Sequence, residues 1–399
     1  MLLKLSARGL RALGGTSTAP FIVRIAHRTA PGASSGADEA LLLDEPNAAA
    51  PLGFRAYLLR ARSPITHHDA YVLGEDHDYV SPGDVVRIDP RRGALTTLYR
   101  RSSAFNTFLV TEQCDNFCTM CSQPPKARDD SWLVDDLERA VPLVSPDAAE
   151  IGISGGEPAL LGERLVGLLR LMRDHLPRTA VHVLSNGRRF ADRAFVRDIA
   201  AIGHSDLMIG VPLYADLPEV HDYVVQARGA FDETLRGILN LKRERVRVEL
   251  RFVIHRDTVE RLPDFARFVA RNLTFVDHVA LMGLELVGFA RSNLEVLWVD
   301  PVDYQDALLA AVATLDRAGM PVSVFNHQLC TLDRRLWRFA RRSISDWKNA
   351  YFAECDACGQ RADCGGFFAS STLRRSRGVR ALLAADPLTA RATTGRPPA

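Results

Sequence analysis

The chain has 399 residues, of which 47% are apolar and 25% charged, an ordinary composition for a globular protein with a sizeable core. Its formal net charge of +2 gives no argument for binding to nucleic acid or to an anionic membrane surface, and neither partner is expected. No run of about 18 uninterrupted apolar residues occurs, so the sequence predicts no membrane span.

The first 104 residues are predicted to form two regions. Residues 1–52 are predicted to be a mobile N-terminal segment, because 31–52 are rich in Ala, Gly, Ser and Pro. Residues 53–104 contain short β-like runs separated by turn signals such as SPGD and DPRRG, and this pattern predicts a small β-rich unit.

Strand and helix patterns alternate over residues 105–290, which are predicted to be the core domain. The predicted strands are 108–112, 149–154, 180–185, 206–211, 246–254 and 277–283, and the predicted helices are 132–143, 162–175, 190–202, 229–243 and 259–272. Six β/α repeats predict an α/β fold with a parallel sheet, in the form of a partial (β/α)6 barrel. In such barrels reactive groups lie on the loops that follow the strands.

Three of the seven cysteines, Cys114, Cys118 and Cys121, directly follow the first predicted core strand with the spacing C-x3-C-x2-C. Three thiolates cannot close a four-sulfur zinc site. They can hold three irons of a [4Fe–4S] cluster and leave the fourth iron open for chemistry. The alternatives are three unrelated cysteines or a zinc knuckle completed elsewhere in the chain.

The segment FLVTEQCDNFCTMCSQPPK at 108–126, with Phe117 before the second cysteine, resembles the cysteine loop of the radical SAM superfamily. The resemblance implies that the open iron is chelated by S-adenosylmethionine (SAM). It also implies that one electron from the cluster cleaves a carbon–sulfur bond, and that the resulting 5′-deoxyadenosyl radical abstracts a hydrogen atom from substrate. Cys114, Cys118 and Cys121 would then be the catalytic cluster ligands.

The same resemblance assigns SAM contacts on later strands. Gly155, Gly156 and Glu157 match the segment that binds the SAM amino group, although a strand-to-helix turn before Pro158 would also explain the glycines. Ser185 and Asn186 resemble polar residues that bind the SAM carboxylate or ribose, or else they form a helix cap and turn.

Weaker assignments fall on the last core strands. Arg251 is a candidate partner for a carboxylate or else an exposed strand arginine, and Gly283 loosely matches a backbone contact to adenine. The polar residues after the fourth core strand have two interpretations, substrate contact and ordinary loop structure with a surface His–Asp pair. The second is favoured for these residues, which are Tyr214, Asp216, His221 and Asp222.

Residues 291–373 are predicted to be a C-terminal extension with a second metal site, and 374–399 a disordered tail. Cys330, Cys355, Cys358 and Cys364 have the spacing C-x24-C-x2-C-x5-C, which indicates zinc or a second [4Fe–4S] cluster rather than free core thiols. A second cluster is favoured over zinc because the chain is already predicted to bind one. Two tight groups of thiols also indicate a reducing compartment, so the cytoplasm is the expected location.

Over roughly residues 55–370 the chain resembles His-Xaa-Ser system radical SAM maturases of the HxsC type. The resemblance is carried by TEQCDNFCTMCSQPPK, by PLYADLPEVHDYVVQARGAFDETLRGILNL and by SISDWKNAY with the C-x2-C-x5-CGGFF element. It implies a precursor peptide with His-Xaa-Ser repeats as substrate and a second radical SAM maturase as partner. The chemistry also requires an electron donor such as ferredoxin or flavodoxin. The alternatives are a radical SAM enzyme acting on a small molecule or RNA base, and a non-catalytic zinc-binding interaction protein.

Overall fold

The computed structural model describes residues 5–14, 17–26, 36–44, 53–60 and 69–383. The chain divides into two compact units. The first contains Met1–Cys114, Lys126–Ser185 and Asp192–Ile209, and the second contains Asp115–Pro125, Asn186–Ala191 and Gly210–Ala399.

Strands β1 to β8 of the first unit form one sheet in the order β1-β8-β7-β3-β4-β5-β6-β2. Because β1 and β2 stand at opposite ends of this order but are joined in the chain by Gly9 and Leu10 alone, the sheet closes on itself. Gly9 makes the bend with φ +119°, a conformation that L side chains rarely adopt. The strands are β1 (Ser6–Arg8), β2 (Arg11–Ala12), β3 (Phe21–Ala26), β4 (Glu39–Leu43), β5 (Ala56–Leu59), β6 (Ala70–Val72), β7 (Val85–Asp89) and β8 (Ala94–Tyr99).

The structure corrects the prediction that residues 1–52 form a mobile segment, as far as these residues are described. Four of the eight strands come from this range, and Val23 and Leu41 are fully buried. The composition of 31–52 hid the short apolar run EALLL, and the run FIVRIA before it was not recognised as a strand. The two runs pair with each other and with β5 and β7. Residues 27–35 and 45–52 lie outside the described ranges.

The core is an α/β fold with a second eight-stranded sheet, in the order β16-β15-β14-β13-β12-β11-β10-β9. The six predicted core strands all form, with ends within two residues of the prediction, and β15 and β16 extend the sheet beyond them. The strands are β9 (Asn106–Thr111), β10 (Glu150–Gly155), β11 (Ala180–Leu184), β12 (Leu207–Pro212), β13 (Arg247–Ile254), β14 (His278–Gly283), β15 (Val322–Phe325) and β16 (Ala340–Arg341).

The helices of the described residues follow the predicted alternation. They are α1 (Trp132–Ala140), α2 (Glu163–His175), α3 (Arg193–Ala200), α4 (Pro218–Val225), α5 (Ala230–Arg243), α6 (Arg256–Val259), α7 (Leu262–Asn272), α8 (Gly288–Ser292), α9 (Leu294–Leu297) and α10 (Gln305–Arg317). Within the first unit, α1 is joined to the N-terminal sheet by Arg87, whose Nε donates to Asp136 at 2.7 Å. No helix in the described part of the chain is long and apolar enough to cross a membrane.

The C-terminal extension belongs to the second unit and includes a two-stranded antiparallel pair, β17 (Asn349–Ala350) and β18 (Phe367–Phe368). The predicted disordered tail is corrected for residues 374–383. The backbone N–H of Arg377 donates to Asp300 at 3.0 Å, and Leu382 is fully buried. Residues 384–399 lie outside the described ranges.

Three buried histidines of the second unit should make stability depend on pH. Burial lowers the pKa of His221, His255 and His327 to about 4 from 6.5. Because the unfolded chain binds these protons at the higher pKa, stability should fall as pH drops from 6.5 toward 4, by about 1–3 kcal/mol per histidine. Urea unfolding at pH 7 and pH 4.5 measures the difference. His221→Gln should reduce it, whereas a matched change at exposed His175 should not.

Candidate active site

Glu112 closes the base of the cysteine loop, directly after β9. Its backbone oxygen accepts from Lys126 N at 2.8 Å, and its carboxylate accepts from Lys126 Nζ at 2.5 Å and from Arg128. Burial alone would raise the pKa of Glu112, but the hydrogen bonds from Lys126 and Arg128 outweigh it and hold the pKa below its ordinary value. The segment that begins at Gln113 and ends at Pro125 is therefore tied together at its stem.

Gly155 and Gly156 lie against the backbone of this stem. Gly156 N donates to Thr111 O at 2.8 Å, and Glu157 N donates to Gln113 O at 2.7 Å. A Cβ on Gly155 would stand 2.2 Å from Thr111 O, and one on Gly156 would stand 2.1 Å from Gln113 O. The absence of side chains at both positions is thus required by the close approach of two backbones.

Glu157 and Ser185, two of the predicted SAM contacts, meet each other in the structure. Ser185 Oγ donates to Glu157 Oε1 at 2.7 Å, and the same oxygen accepts from Ala159 N at 2.8 Å. Glu157 is 1% exposed. A carboxylate this deeply buried needs such partners, and they fix its orientation.

The part of the loop that carries Cys118 and Cys121 is anchored by its backbone within the second unit. Phe117 N and Thr119 N donate to Val225 O and Val224 O at 3.0 and 2.9 Å, and Phe289 N donates to Cys121 O at 2.8 Å. The buried side chains that surround Met120 are Tyr214, Val224, Val225, Ala230, Ala290 and Leu297. Cys118, which is partly buried, packs against the same cluster.

Arg188 and Asn186 clamp the residues between the first two cysteines. Arg188 Nη1 donates to Asp115 O at 2.9 Å and to Asn116 Oδ1 at 2.8 Å, and its Nε donates to Glu233 on α5 at 2.6 Å. Asn186 Nδ2 donates to Asp115 Oδ1 at 2.6 Å. Asn186, predicted to contact SAM, therefore contacts the cysteine loop itself.

None of the seven cysteines is in a disulfide bond, and each is of intermediate exposure. Within the described ranges no three His, Cys, Asp or Glu side chains are gathered closely enough to hold one metal ion. Burial raises the pKa of the Cys121 thiol, so that metal binding there must displace a proton. The donor set nevertheless suits a cluster, because thiols are the ligands that iron–sulfur clusters use and this backbone holds them on one short loop.

The polar residues after β12 have structural contacts, as the sequence favoured, although His221 is buried rather than on the surface. His221 Nδ1 accepts from Tyr214 N at 3.2 Å. Asp222 accepts from Gly229 N and Phe231 N at the start of α5, and Asp216 accepts from Arg261 Nε at 3.1 Å. These contacts orient the segment that carries Val224 and Val225.

Arg251 and Gly283 lie on neighbouring strands, β13 and β14. Arg251 Nη1 donates to Glu249 Oε1 at 2.5 Å, so this arginine has a carboxylate partner from the chain itself. A Cβ on Gly283 would stand 2.7 Å from Asn326 O, and Asn326 Nδ2 donates to Gly283 O at 3.2 Å. Gly283 therefore allows a close approach by the loop after β15.

The four cysteines of the C-terminal extension interact electrostatically with one another. Burial raises the pKa of Cys330 to about 11, and negative charge on Cys364, Cys355 and Cys358 adds to this effect. Burial also raises the pKa of Cys355. A metal that binds thiolates would relieve this mutual repulsion.

Backbone contacts hold these thiols in place. Cys358 N donates to Cys355 O at 3.2 Å, as expected for a C-x2-C turn, and Cys358 Sγ accepts from Leu382 N at 3.4 Å. Tyr351 Oη donates to Cys364 O at 2.9 Å, and Gln328 Nε2 donates to Gly366 O at 2.9 Å. The SISDWKNAY and CGGFF segments are thus part of the support of the second cysteine group.

Sequence reasoning missed Glu112 and Arg188. Glu112 directly follows a strand, and Arg188 stands two residues after Asn186, so position alone offered a signal for both. Their partners are far away in sequence, however, and no local pattern identifies them.

Residues 108–269 match the model of the Radical SAM superfamily. A curated relative, Fe-coproporphyrin III synthase of Methanosarcina barkeri (strain Fusaro / DSM 804), is 28% identical over 171 residues, which cover 39% of this chain and 38% of the relative. The matched residues are thus similar to a radical SAM domain, and they lie within the α/β fold described above.

Solved structures with a similar fold include Streptococcus suis SuiB bound to S-adenosylmethionine and coproporphyrinogen III oxidase (HemN) of Escherichia coli. SuiB is 14% identical with a TM-score of 0.44, covering 55% of this chain and 49% of SuiB. HemN is 14% identical with a TM-score of 0.41, covering 54% of this chain and 53% of HemN. The matched part therefore spans about half the length of each.

Substituting Gly156 by Ala should destabilise the chain, because the new Cβ would overlap Gln113 O. We expect a loss of about 1–3 kcal/mol in the free energy of unfolding, as for other overpacked sites. Gly167 on α2 is a matched control, since a Cβ there meets nothing within 4 Å. Gly167→Ala should stabilise the chain by about 0.5–1 kcal/mol. Equal effects of the two substitutions in thermal unfolding would contradict the close backbone approach.

Proposed function

We propose that this protein is a radical SAM enzyme that modifies a ribosomally made peptide with His-Xaa-Ser repeats. The observation that carries the proposal is a C-x3-C-x2-C loop, directly after β9, whose backbone is held at its stem and around Cys118 and Cys121. A loop fixed in this way presents three thiols without any need for a fourth protein ligand.

In this proposal Cys114, Cys118 and Cys121 hold a [4Fe–4S] cluster, and Gly155, Gly156, Glu157, Ser185, Asn186, Arg251 and Gly283 surround SAM. When bound, the cluster and SAM supply a 5′-deoxyadenosyl radical. The chain orients and shields them. Glu157 and Ser185 present a buried, hydrogen-bonded carboxylate, and Arg188 and Asn186 keep Asp115 and Asn116 in place beside the thiols.

The peptide substrate is supported by the segments that carry the resemblance to His-Xaa-Ser system maturases. The segment from Pro212 to Leu241 supplies the Val224 and Val225 carbonyls that hold the cysteine loop, and SISDWKNAY supplies Tyr351, which holds Cys364. A second radical SAM maturase and an electron donor such as ferredoxin or flavodoxin would be its partners. Cys330, Cys355, Cys358 and Cys364 would hold a second cluster, which we favour over zinc.

Two other functions make different predictions for the purified protein. A radical SAM enzyme acting on a small molecule or RNA base would leave His-Xaa-Ser peptides unmodified. A zinc-binding interaction protein would contain stoichiometric zinc and no visible-region absorbance, whereas two [4Fe–4S] clusters require about eight irons per chain. Anaerobic co-expression with candidate His-Xaa-Ser peptides, followed by mass spectrometry, tests the proposed substrate, and loss of two hydrogens indicates a cross-link or desaturation.

Cys118→Ala should abolish SAM cleavage, because the cluster would lose one of its three protein ligands. The measurement is 5′-deoxyadenosine production by anaerobically reconstituted protein. Cys118 lies beside exposed Phe117, and Phe117→Ala serves as the control, with cleavage expected within about an order of magnitude of the unsubstituted chain. Normal 5′-deoxyadenosine from Cys118→Ala would contradict the ligand assignment.

Cys358→Ala should leave SAM cleavage detectable but stop formation of the modified peptide. SAM cleavage should remain because the proposal assigns it to the first group of cysteines, and Cys358 belongs to the second. Peptide modification should stop because the second cluster would lose one of its ligands. Both products are measured in one reaction by mass spectrometry. Unchanged peptide modification would show that the second cysteine group has a structural role alone.

A further inference from the structure

The residues that follow β18 are anchored to the C-terminal extension by two aspartates. The carboxylate of Asp300, which is 5% exposed, accepts from Ser376 Oγ and from Arg377 N at 3.0 Å. The guanidinium of Arg377 donates to both carboxylate oxygens of Asp303, from Nη1 at 2.9 Å. A buried carboxylate needs such donors, so this anchor fixes the point from which the chain continues.

Beyond the anchor, the backbone contacts the second group of cysteines. The N–H of Arg380 donates to the thiol of Cys330. The N–H of Leu382 donates to Cys358 Sγ at 3.4 Å, and the Leu382 carbonyl oxygen accepts from Gly359 N at 2.9 Å. The Leu382 side chain is fully buried. Two backbone N–H groups, two residues apart in the chain, are thus directed at two of the four thiols.

The other two thiols belong to the same group. The N–H of Phe352 donates to the thiol of Cys355, so three of the four sulfurs accept a backbone hydrogen bond. Negative charge on Cys364, Cys355 and Cys358 acts on Cys330, which shows that all four thiols lie near one another. Four thiolates complete the coordination of zinc or of a [4Fe–4S] cluster and leave no position for another ligand.

The spacing of these thiols also bears on which group they hold. Within the described ranges, no three of them are gathered closely enough to hold one metal ion. A zinc ion takes four sulfurs at about 2.3 Å each, whereas a [4Fe–4S] cluster takes its four thiolates on four different irons and so spans a larger space. The arrangement of the donors therefore fits a cluster better than zinc.

We propose that residues 380–382 are part of a closed second cluster site, which they cover and whose bound thiolates they stabilise, so that all four cysteines are ligands and no substrate atom binds the cluster. This inference rests on the second cluster of the proposed function. A sulfur bound to iron carries negative charge, and an N–H group directed at it stabilises that charge. Because the donors follow the anchor at Asp300, they are in place before the cluster binds.

A pair of shortened chains tests whether the segment retains the cluster. Both are made in the chain in which Cys114, Cys118 and Cys121 are replaced by Ala, so that the second group is observed alone. Ending this chain after Leu383 keeps the segment, whereas ending it after Val379 removes it. Each protein is reconstituted anaerobically, its iron and zinc are counted, and the rate of metal loss to EDTA is measured.

The full-length chain and the chain that ends after Leu383 should hold about four irons and lose them at the same rate. The chain that ends after Val379 should lose them at least about tenfold faster, as for other groups that support metal ligands. Equal rates of loss from the two shortened chains, or zinc in place of iron in the full-length chain, would overturn the proposal.

Two substitutions of Leu382 separate the hydrogen bond from the buried side chain. Leu382→Ala and Leu382→Pro both remove that side chain, but only proline removes the N–H that meets Cys358. An N–H donor stabilises the reduced cluster, which carries more negative charge. In a redox titration followed by electron paramagnetic resonance, Leu382→Pro should therefore give a more negative reduction potential than Leu382→Ala. Equal potentials would show that the N–H does not act on the cluster.

Cyanide, a small ligand for iron, tests whether the site is closed. With all four cysteines present, it should leave the spectrum of the reduced second cluster unchanged. Cys330→Ala should open one iron, and cyanide should then change the spectrum. A response to cyanide from the four-cysteine site would contradict the proposal. Absence of 5′-deoxyadenosine from the unsubstituted chain would instead refute the proposed function, and it would leave the results on the second site unaffected.

Discussion

The cysteine loop owes its shape to main-chain hydrogen bonds, and the proposed chemistry depends on that shape. Glu112 ties the stem through Lys126, and the carbonyls of Val224 and Val225 accept from Thr119 and Phe117. None of these bonds involves a thiol. The backbone can therefore stay in place whether the sulfurs are protonated or bound to iron, so little conformational entropy is lost when a cluster binds.

The two glycines beside the stem illustrate how one pattern supports two explanations. In the sequence, Gly155 and Gly156 match a segment that binds SAM in the radical SAM superfamily. In the structure they are required by the approach of Thr111 O and Gln113 O, which leaves no room for a Cβ. The explanations are compatible, because a strand pressed against the stem brings the buried Glu157 carboxylate to a fixed position. The close packing of these two backbones thus fixes the position of one residue of the proposed SAM site.

Much of the core fold was predictable, and the failures have a common physical cause. The six core strands and the five predicted helices follow from apolar periodicity, which is local, whereas the short helices α4 and α6 were not predicted. The N-terminal strands β3 and β4 were missed because a polar, small-residue linker separates short apolar runs that pair with each other. Arg188 with Glu233, and Arg377 with Asp300, join residues 45 and 77 positions apart. No local pattern encodes such contacts.

The central claim is that three thiols hold a cluster with one iron open to SAM, and electron paramagnetic resonance tests it most directly. The sample is anaerobically reconstituted protein in which Cys330, Cys355, Cys358 and Cys364 are replaced by Ala, so that the first group of cysteines is observed alone. About four irons per chain are expected, with a reduced-cluster spectrum that changes when SAM is added. A spectrum unaffected by SAM, or zinc in place of iron, would contradict the account.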